Sequence, residues 1–334
     1  MKKYIFKSAF LAALFCLTAC SKEDSLDPNS VLPEPQVDNT IEGTYIRDNF
    51  TDPYKIRVLY MWDRNQYGDT RDVLRNLYPP KSENVIPALE MVKQVWINTY
   101  NEGASPDFIK NIRPFEFVIA GGAAYNEDQT RTLGLASSGV RVTLYEVDDI
   151  IVNPDKAMEF IHTIQHEYIH IINQAVEFSE KDFGKETMGS YTPSWMNVSD
   201  QEAHELGFVT PYASSSMFED FAETAAYLLT NTEAQYAAFL ESFKIAGTNT
   251  YRPGRAKIMY KVNFVRDYFK TEFGVDFQLV CKIANENAAN SPLLNPKRGQ
   301  GALASKNSHS PYGIVAKGEV HFCAYDWSQI YNKK

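Results

Sequence analysis

The sequence predicts an α+β fold: a small mixed sheet in the N-terminal part, a long helix bearing a histidine cluster, and a mainly helical C-terminal lobe. Three observations carry this. Short segments rich in β-branched and aromatic residues are confined to the first half of the chain. From residue 153 to residue 290, apolar residues recur at helical spacing instead. No repeat, low-complexity run or second linker breaks the chain after residue 41, which suits one domain of two lobes, 41–176 and 177–334.

Residues before 41 read as targeting and tether. Lys2, Lys3 and Lys7 precede a short apolar run, 9–17, in the layout of a signal peptide covering 1–19. Leu17-Thr18-Ala19-Cys20 resembles a lipobox, which implies cleavage before Cys20, a lipid on that cysteine and a membrane anchor. Ser21-Lys22-Glu23-Asp24 resembles the acidic export tag of surface lipoproteins in Bacteroidota-type bacteria, which implies an outer-membrane, surface-exposed location. Residues 20–40 are rich in proline and acid and read as a flexible tether. The formal charge of -9 becomes -12 once the three signal lysines are removed. That acidic balance, with no basic run, argues against a nucleic-acid partner. Hydrophobic residues at 44% exclude a wholly disordered chain. Of the cysteines that would survive processing, Cys281 and Cys323 are free to pair or to remain thiols.

In the folded part, Tyr54 to Trp62 reads as a strand, and Pro87 to Tyr100 as a helix with Leu89, Val92, Val95, Trp96 and Tyr100 inward. Phe115 to Ile119, Thr132 to Ala136 and Val140 to Val147 read as three further strands. The last two are joined by a hairpin-like turn at Ser137-Ser138-Gly139. Asn153-Pro154-Asp155 then opens the best-signalled helix: Asn caps, Pro suits the first position, and Asp meets the positive end of the dipole. Ala157, Phe160, Ile161, Ile164, Tyr168 and Ile171 share one face, and His162, His166 and His170 are expected on the opposite one. Thr232-Glu233-Ala234-Gln235 resembles a capping box. Ile258, Met259, Val262, Val265 and Phe269 fit a long helix ending at Gly274. Residues 291–334 are loop-rich, with a hairpin expected around Gly318.

The chemistry is carried by His166-Glu167-Tyr168-Ile169-His170. Two imidazoles at i and i+4 project from one face and can grip one Zn²⁺ per chain, while Glu167 stands beside it to take a proton from the attacking water. A catalytic zinc needs a third protein ligand, and no third His follows at metzincin spacing. Glu219 and Glu223 lie at i and i+4 on a second amphipathic helix. Such a carboxylate pair repels unless something positive lies nearby. Glu219 is the expected ligand, with Glu223 orienting a ligand histidine. His162 reads as a plain surface or cleft histidine, and His204-Glu205 carries no metal signal.

HExxH followed by Tyr212 and Glu219-Asp220-Phe221-Ala222-Glu223 resembles the gluzincin arrangement of anthrax lethal factor and the Mlc titration factor peptidase. The resemblance implies a zincin-like fold, Glu219 as third zinc ligand, and a Tyr212 hydroxyl aimed at the site. With the lipobox, the chain resembles the zinc-binding metallopeptidase lipoproteins that accompany SusC/SusD-type importers. That implies a peptide or glycopeptide substrate and such an importer as partner. A phenol at Tyr212 would stabilise the developing oxyanion. In zincin-like folds a strand beside the active helix pairs with extended substrate. Val140, Val142 and Leu144, in the last strand before the helix, are expected to form that edge. Two other readings share these residues: a zincin-shaped protein that captures substrate without cutting, and a zinc hydrolase of a non-peptide amide or ester.

Overall fold

The structure, a computed structural model, describes residues 38–61, 77–125, 131–137, 140–294 and 320–321. Cys20, most of the tether, Ser138-Gly139, Gly318 and Cys323 lie outside the described residues. The described residues from Thr40 onward fall in one compact unit. Among the described residues no helix is long and apolar enough to cross a membrane.

The chain enters as a helical run, α1 (41–54), closed by Lys55 in the left-handed region at φ 58°. Strand β1 follows at Arg57–Leu59. The sequence expectation of a strand from Tyr54 is thus corrected. Alternate burial of Ile56, Val58 and Tyr60 is present, but only three residues find a ladder partner. The next helical run, α2 (82–103), starts before Pro87 and passes through it, with Lys93–Asn98 in a π-helical turn. Burial of Val85, Ala88, Leu89, Met91 and Val92 outweighs the one lost backbone hydrogen bond.

Strands β2 (Glu116–Ile119), β3 (Ala124–Tyr125), β4 (Arg131–Thr132), β5 (Gly134–Ser137), β6 (Arg141–Leu144) and β7 (Val320–His321) complete the strands among the described residues. One sheet has the order β1-β2-β6-β5, parallel except for antiparallel β5 and β6, and β3-β4-β7 form a second. The antiparallel β5–β6 pair matches the expected hairpin partners. The order of the sheet, however, corrects the expected substrate edge. β6 lies between β2 and β5, Val142 and Leu144 are buried, and Val140 precedes the strand in a turn. The edge strand beside β6 is β5, and β1 forms the opposite edge.

Helix α3, Pro154–Ala175, opens as its residues dictate: the Asn153 side chain accepts from the backbone N–H of Asp155 at 3.0 Å. Every residue from Phe160 to Asn173 is buried, so α3 is central rather than one-faced. Its rear packs on α2. Tyr168 meets Trp96 at 5.3 Å and Tyr100 at 4.7 Å between ring centroids, both edge-on. Gln165 Nε2 donates to the Val95 carbonyl inside the π-helical turn at 2.8 Å. Each such aromatic burial contributes about 1.5–3 kcal/mol. The histidine face is covered too, by a helix from the second half of the chain, so both faces of α3 are enclosed.

The longer helices described in that half are α4 (Asp200–Leu206), α5 (Met217–Thr230), α6 (Glu233–Glu241), α7 (Gly254–Phe273) and α8 (Phe277–Asn290). α5 packs along α3, and α7 and α8 support α5 from behind. The capping box at Thr232 and Gln235 is reciprocal, and α7 ends on Gly274 at φ 67°.

Candidate metal centre

Helices α3 and α5 bring their one-turn ladders face to face. His162, His166 and His170 climb one helix, Glu223 and Glu219 the other. His166 Nε2 is 2.9 Å and His170 Nε2 3.2 Å from Glu219 Oε2, and the two Nε2 atoms are 3.0 Å apart. His166 Nδ1 is 2.8 Å from Glu223 Oε1, an oxygen that His162 Nε2 also approaches, at 3.0 Å. All of these side chains are buried. Glu219 therefore faces both Nε2 atoms, whereas Glu223 faces only the rear nitrogen of His166. His162, read from the sequence as a surface or cleft histidine, is instead enclosed between the two helices.

Local sequence explains the second ladder. Ser216 caps α5, its hydroxyl accepting from the Glu219 N–H at 3.2 Å, which fixes the first turn where Glu219 sits. Upstream, α4 ends on Gly207 at φ 102°, a left-handed position suited to glycine. The chain then runs past Thr210, whose hydroxyl donates to Glu223 Oε2 at 2.7 Å. Tyr212 begins a short 3₁₀ turn, its ring 5.9 Å from that of His166 and edge-on to Trp195 at 4.9 Å. Glu167 is fully buried on the β5 side of α3. A Cβ at Gly134 would stand 2.3 Å from Thr163 Cγ2 and 3.2 Å from Glu167 Oε1, so only glycine lets β5 run this close.

The donor set fits zinc. A carboxylate only accepts, so His166 Nδ1 opposite Glu223 carries the proton, and the neutral ring presents a lone pair at Nε2. With the ring neutral, that lone pair faces Glu219 Oε2, another acceptor, 2.9 Å away, and a metal cation between the two would join them. Four-coordinate zinc with bonds near 2.0–2.1 Å keeps its ligand atoms roughly 3.3 Å apart. The three separations here, 2.9, 3.0 and 3.2 Å, are close to that value. Without a metal the same site draws in protons instead. Burial alone would lower His166, yet its bonds to Glu219 and Glu223 push it up to about 10. Burial alone would raise Glu219, yet His170 and His166 pull it down to about 2, and Glu223 is lowered in the same way by His162 and His166. The carboxylates draw positive charge into a site that burial would otherwise keep neutral.

Sequence reasoning missed His162, Thr210 and the β5 edge. The signal for His162 was present: three histidines at i, i+4 and i+8 meet a glutamate pair of the same spacing.

A sequence model of the family described as "putative zinc-binding metallo-peptidase" matches residues 35–278. Among solved structures, the chain is similar to a crystal structure, at 2.10 Å resolution, of a putative zinc-binding metallo-peptidase from Bacteroides caccae ATCC 43185. The TM-score is 0.61 and the identity 28%, covering 75% of this chain and 92% of that one. No curated protein matches.

Proposed function

We propose that this chain, which belongs to the putative zinc-binding metallo-peptidase family, is a zinc-dependent hydrolase of peptide or glycopeptide bonds. One observation carries the reading: His166 Nε2, His170 Nε2 and Glu219 Oε2 converge to within 3.2 Å of one another, buried, with Glu167 next in the chain to His166.

When bound by His166, His170 and Glu219, zinc supplies Lewis-acid polarisation of the scissile carbonyl and a water acidic enough to attack at neutral pH. The chain's own residues do the rest. Glu167 accepts the proton of the attacking water and returns it to the leaving amine. Burial of Glu167 keeps bulk water from competing for that proton. Tyr212, beside His166, donates its hydroxyl to the oxygen that becomes negative, an interaction that strengthens as charge develops. Extended substrate pairs by main-chain hydrogen bonds with the outer side of β5, which passes directly over Glu167. The strand assigned this role from the sequence, β6, is enclosed and cannot take it.

The proposal extends to location. Lipid on Cys20 would hold the body at the outer membrane, displayed outward and supplying fragments to an importer of the SusC/SusD type.

The test combines elemental analysis with digestion of a proteome-derived peptide library by the full chain. One zinc per chain and defined cleavage products are expected. Glu167→Gln should keep the zinc and lose turnover by about 10³-fold or more. Zinc with no cleavage of any peptide would favour a substrate-capture protein, and a Glu167→Gln variant that kept its rate would remove the mechanism. Lipid labelling that fails to mark Cys20 would remove the anchor.

A further inference from the structure

The same helix pair holds a second cluster with the makings of a metal site. Ligand-type atoms of His162, His166 and Glu223 lie within 4.8 Å of one another, all buried. His162 Nε2 is 3.0 Å from Glu223 Oε1, which is 2.8 Å from His166 Nδ1. Glu223 Oε2 accepts from the Thr210 hydroxyl at 2.7 Å. On the far side, His162 Nδ1 is 3.4 Å from Thr230 Oγ1, whose own proton goes to the Ala226 carbonyl at 2.6 Å.

The two clusters differ in their chemistry. In the first, lone pairs oppose lone pairs, and a cation reconciles them. In the second, each contact of Glu223 can set an N–H or O–H against a carboxylate lone pair, so protons already satisfy it. A cation there would also need a lone pair from His166 Nδ1. A neutral imidazole has only one, and Nε2 presents it to Glu219 and His170.

Resting on the reading of the first cluster as zinc ligands, we infer that His162 is a positioning residue. Its Nε2–H, with the Thr210 hydroxyl, fixes the Glu223 carboxylate, and Glu223 fixes the His166 ring with Nδ1 protonated and Nε2 turned to the metal. His162 touches neither metal nor substrate. It acts through Glu223, as outer partners of metal-bound histidines do.

The experiment measures zinc affinity by chelator competition, zinc per chain by elemental analysis, and the visible spectrum after cobalt substitution. It compares the full wild-type chain with His162→Phe and His162→Gln, and the melting temperature of each metal-free protein monitors folding. Wild type should bind one zinc. His162→Phe should lose about 10-fold in affinity and shift the cobalt spectrum. His162→Gln, which keeps an N–H near the position of Nε2, should restore most of the affinity and the spectrum. Should His162→Phe not fold, NMR of the zinc-loaded wild type decides: slowly exchanging imidazole protons are expected on His162 Nε2 and His166 Nδ1. His166 bound to metal through Nδ1 would overturn the inference. So would unchanged affinity in folded His162→Phe, or a Gln variant no better than Phe. Two zinc ions in wild type, falling to one in His162→Phe, would overturn it in favour of a second metal centre. A wild type that binds no zinc overturns the parent reading itself, and so is told apart from the rest.

Discussion

Helix α5 presents two buried charged clusters on different faces, and they are built on opposite rules. Toward α3 it offers Glu219 and Glu223. Toward α7 it offers Asp220, paired with Lys261 at 2.5 Å, both fully enclosed. Around that pair every strong group is answered. Lys261 also donates to the Gly207 carbonyl at 2.9 Å and lies over the Phe208 ring at 4.1 Å, while Tyr191 donates to Asp220 at 2.7 Å. Burial pushes Lys261 down and Asp220 up, and each partner opposes the shift in the other. A closed set of this kind holds parts together: it ties α7 to the Gly207-Phe208 segment that leads to Thr210 and Tyr212. The set facing α3 is open at its Glu219 end, where Glu219 Oε2 and the Nε2 atoms of His166 and His170 converge on one point. Buried charge is structural where the partners close on one another, and points to a ligand where several ligand-type atoms converge on one point.

The largest expected effect separates the two glutamates inside the open set. Glu219→Ala removes one of three protein ligands. With zinc binding worth roughly 10–16 kcal/mol in structural sites, a third of that is about 4 kcal/mol, or roughly 10³-fold in affinity. Glu223→Ala removes only the support behind His166 and should cost about 10–100-fold. Chelator competition on both variants checks the order, and a reversed order would exchange the roles of the two carboxylates.

Next is the closed set. Lys261→Met leaves Asp220 buried without its cation, a loss of about 3–5 kcal/mol in stability. Denaturant unfolding should show it equally with and without zinc, while zinc affinity stays within a few-fold of wild type. If affinity instead fell as far as in Glu219→Ala, the two faces of α5 would be one energetic unit and the contrast would fail.

The two clusters were also unequally legible in the sequence. The open set is written in spacing, because i and i+4 on a helix place side chains on one face whatever surrounds them. Asn153, Pro154 and Ser216 likewise act on their own backbone, and local chemistry is enough to read them. The closed set is not legible. Lys261 and Asp220 each look like solvated charges until two helices are brought together. His162 was misread for the same reason, since its role depends on what lies opposite. The substrate edge was misread because strand order is a property of the sheet. β6 precedes α3 directly, yet β5 folds back outside it, and only the contact of Gly134 with Thr163 and Glu167 reveals which strand lies over the site.

The smallest expected effects come from two threonines that stand in parallel on the two sets. Thr210 donates to Glu223 at 2.7 Å, whereas Thr224 reaches Asp220 only at 3.5 Å. Valine keeps the shape of either side chain and removes the hydroxyl. A hydrogen bond to a buried carboxylate contributes about 1.5–3 kcal/mol when short and well aligned, and much less at the limit of its range. Thr210→Val also frees the Ala213 N–H, which donates to the same hydroxyl at 3.1 Å, and so loosens the turn that begins at Tyr212. Its cost should therefore appear in zinc affinity and turnover. Thr224→Val should appear only as a loss of stability under about 1 kcal/mol, because Lys261 and Tyr191 still hold Asp220. Calorimetric melting of both variants, with zinc titrations alongside, separates the two. A Thr224→Val variant that lost zinc as Thr210→Val does would mean that Asp220 helps to hold Glu219 in place, and that the closed set serves the open one.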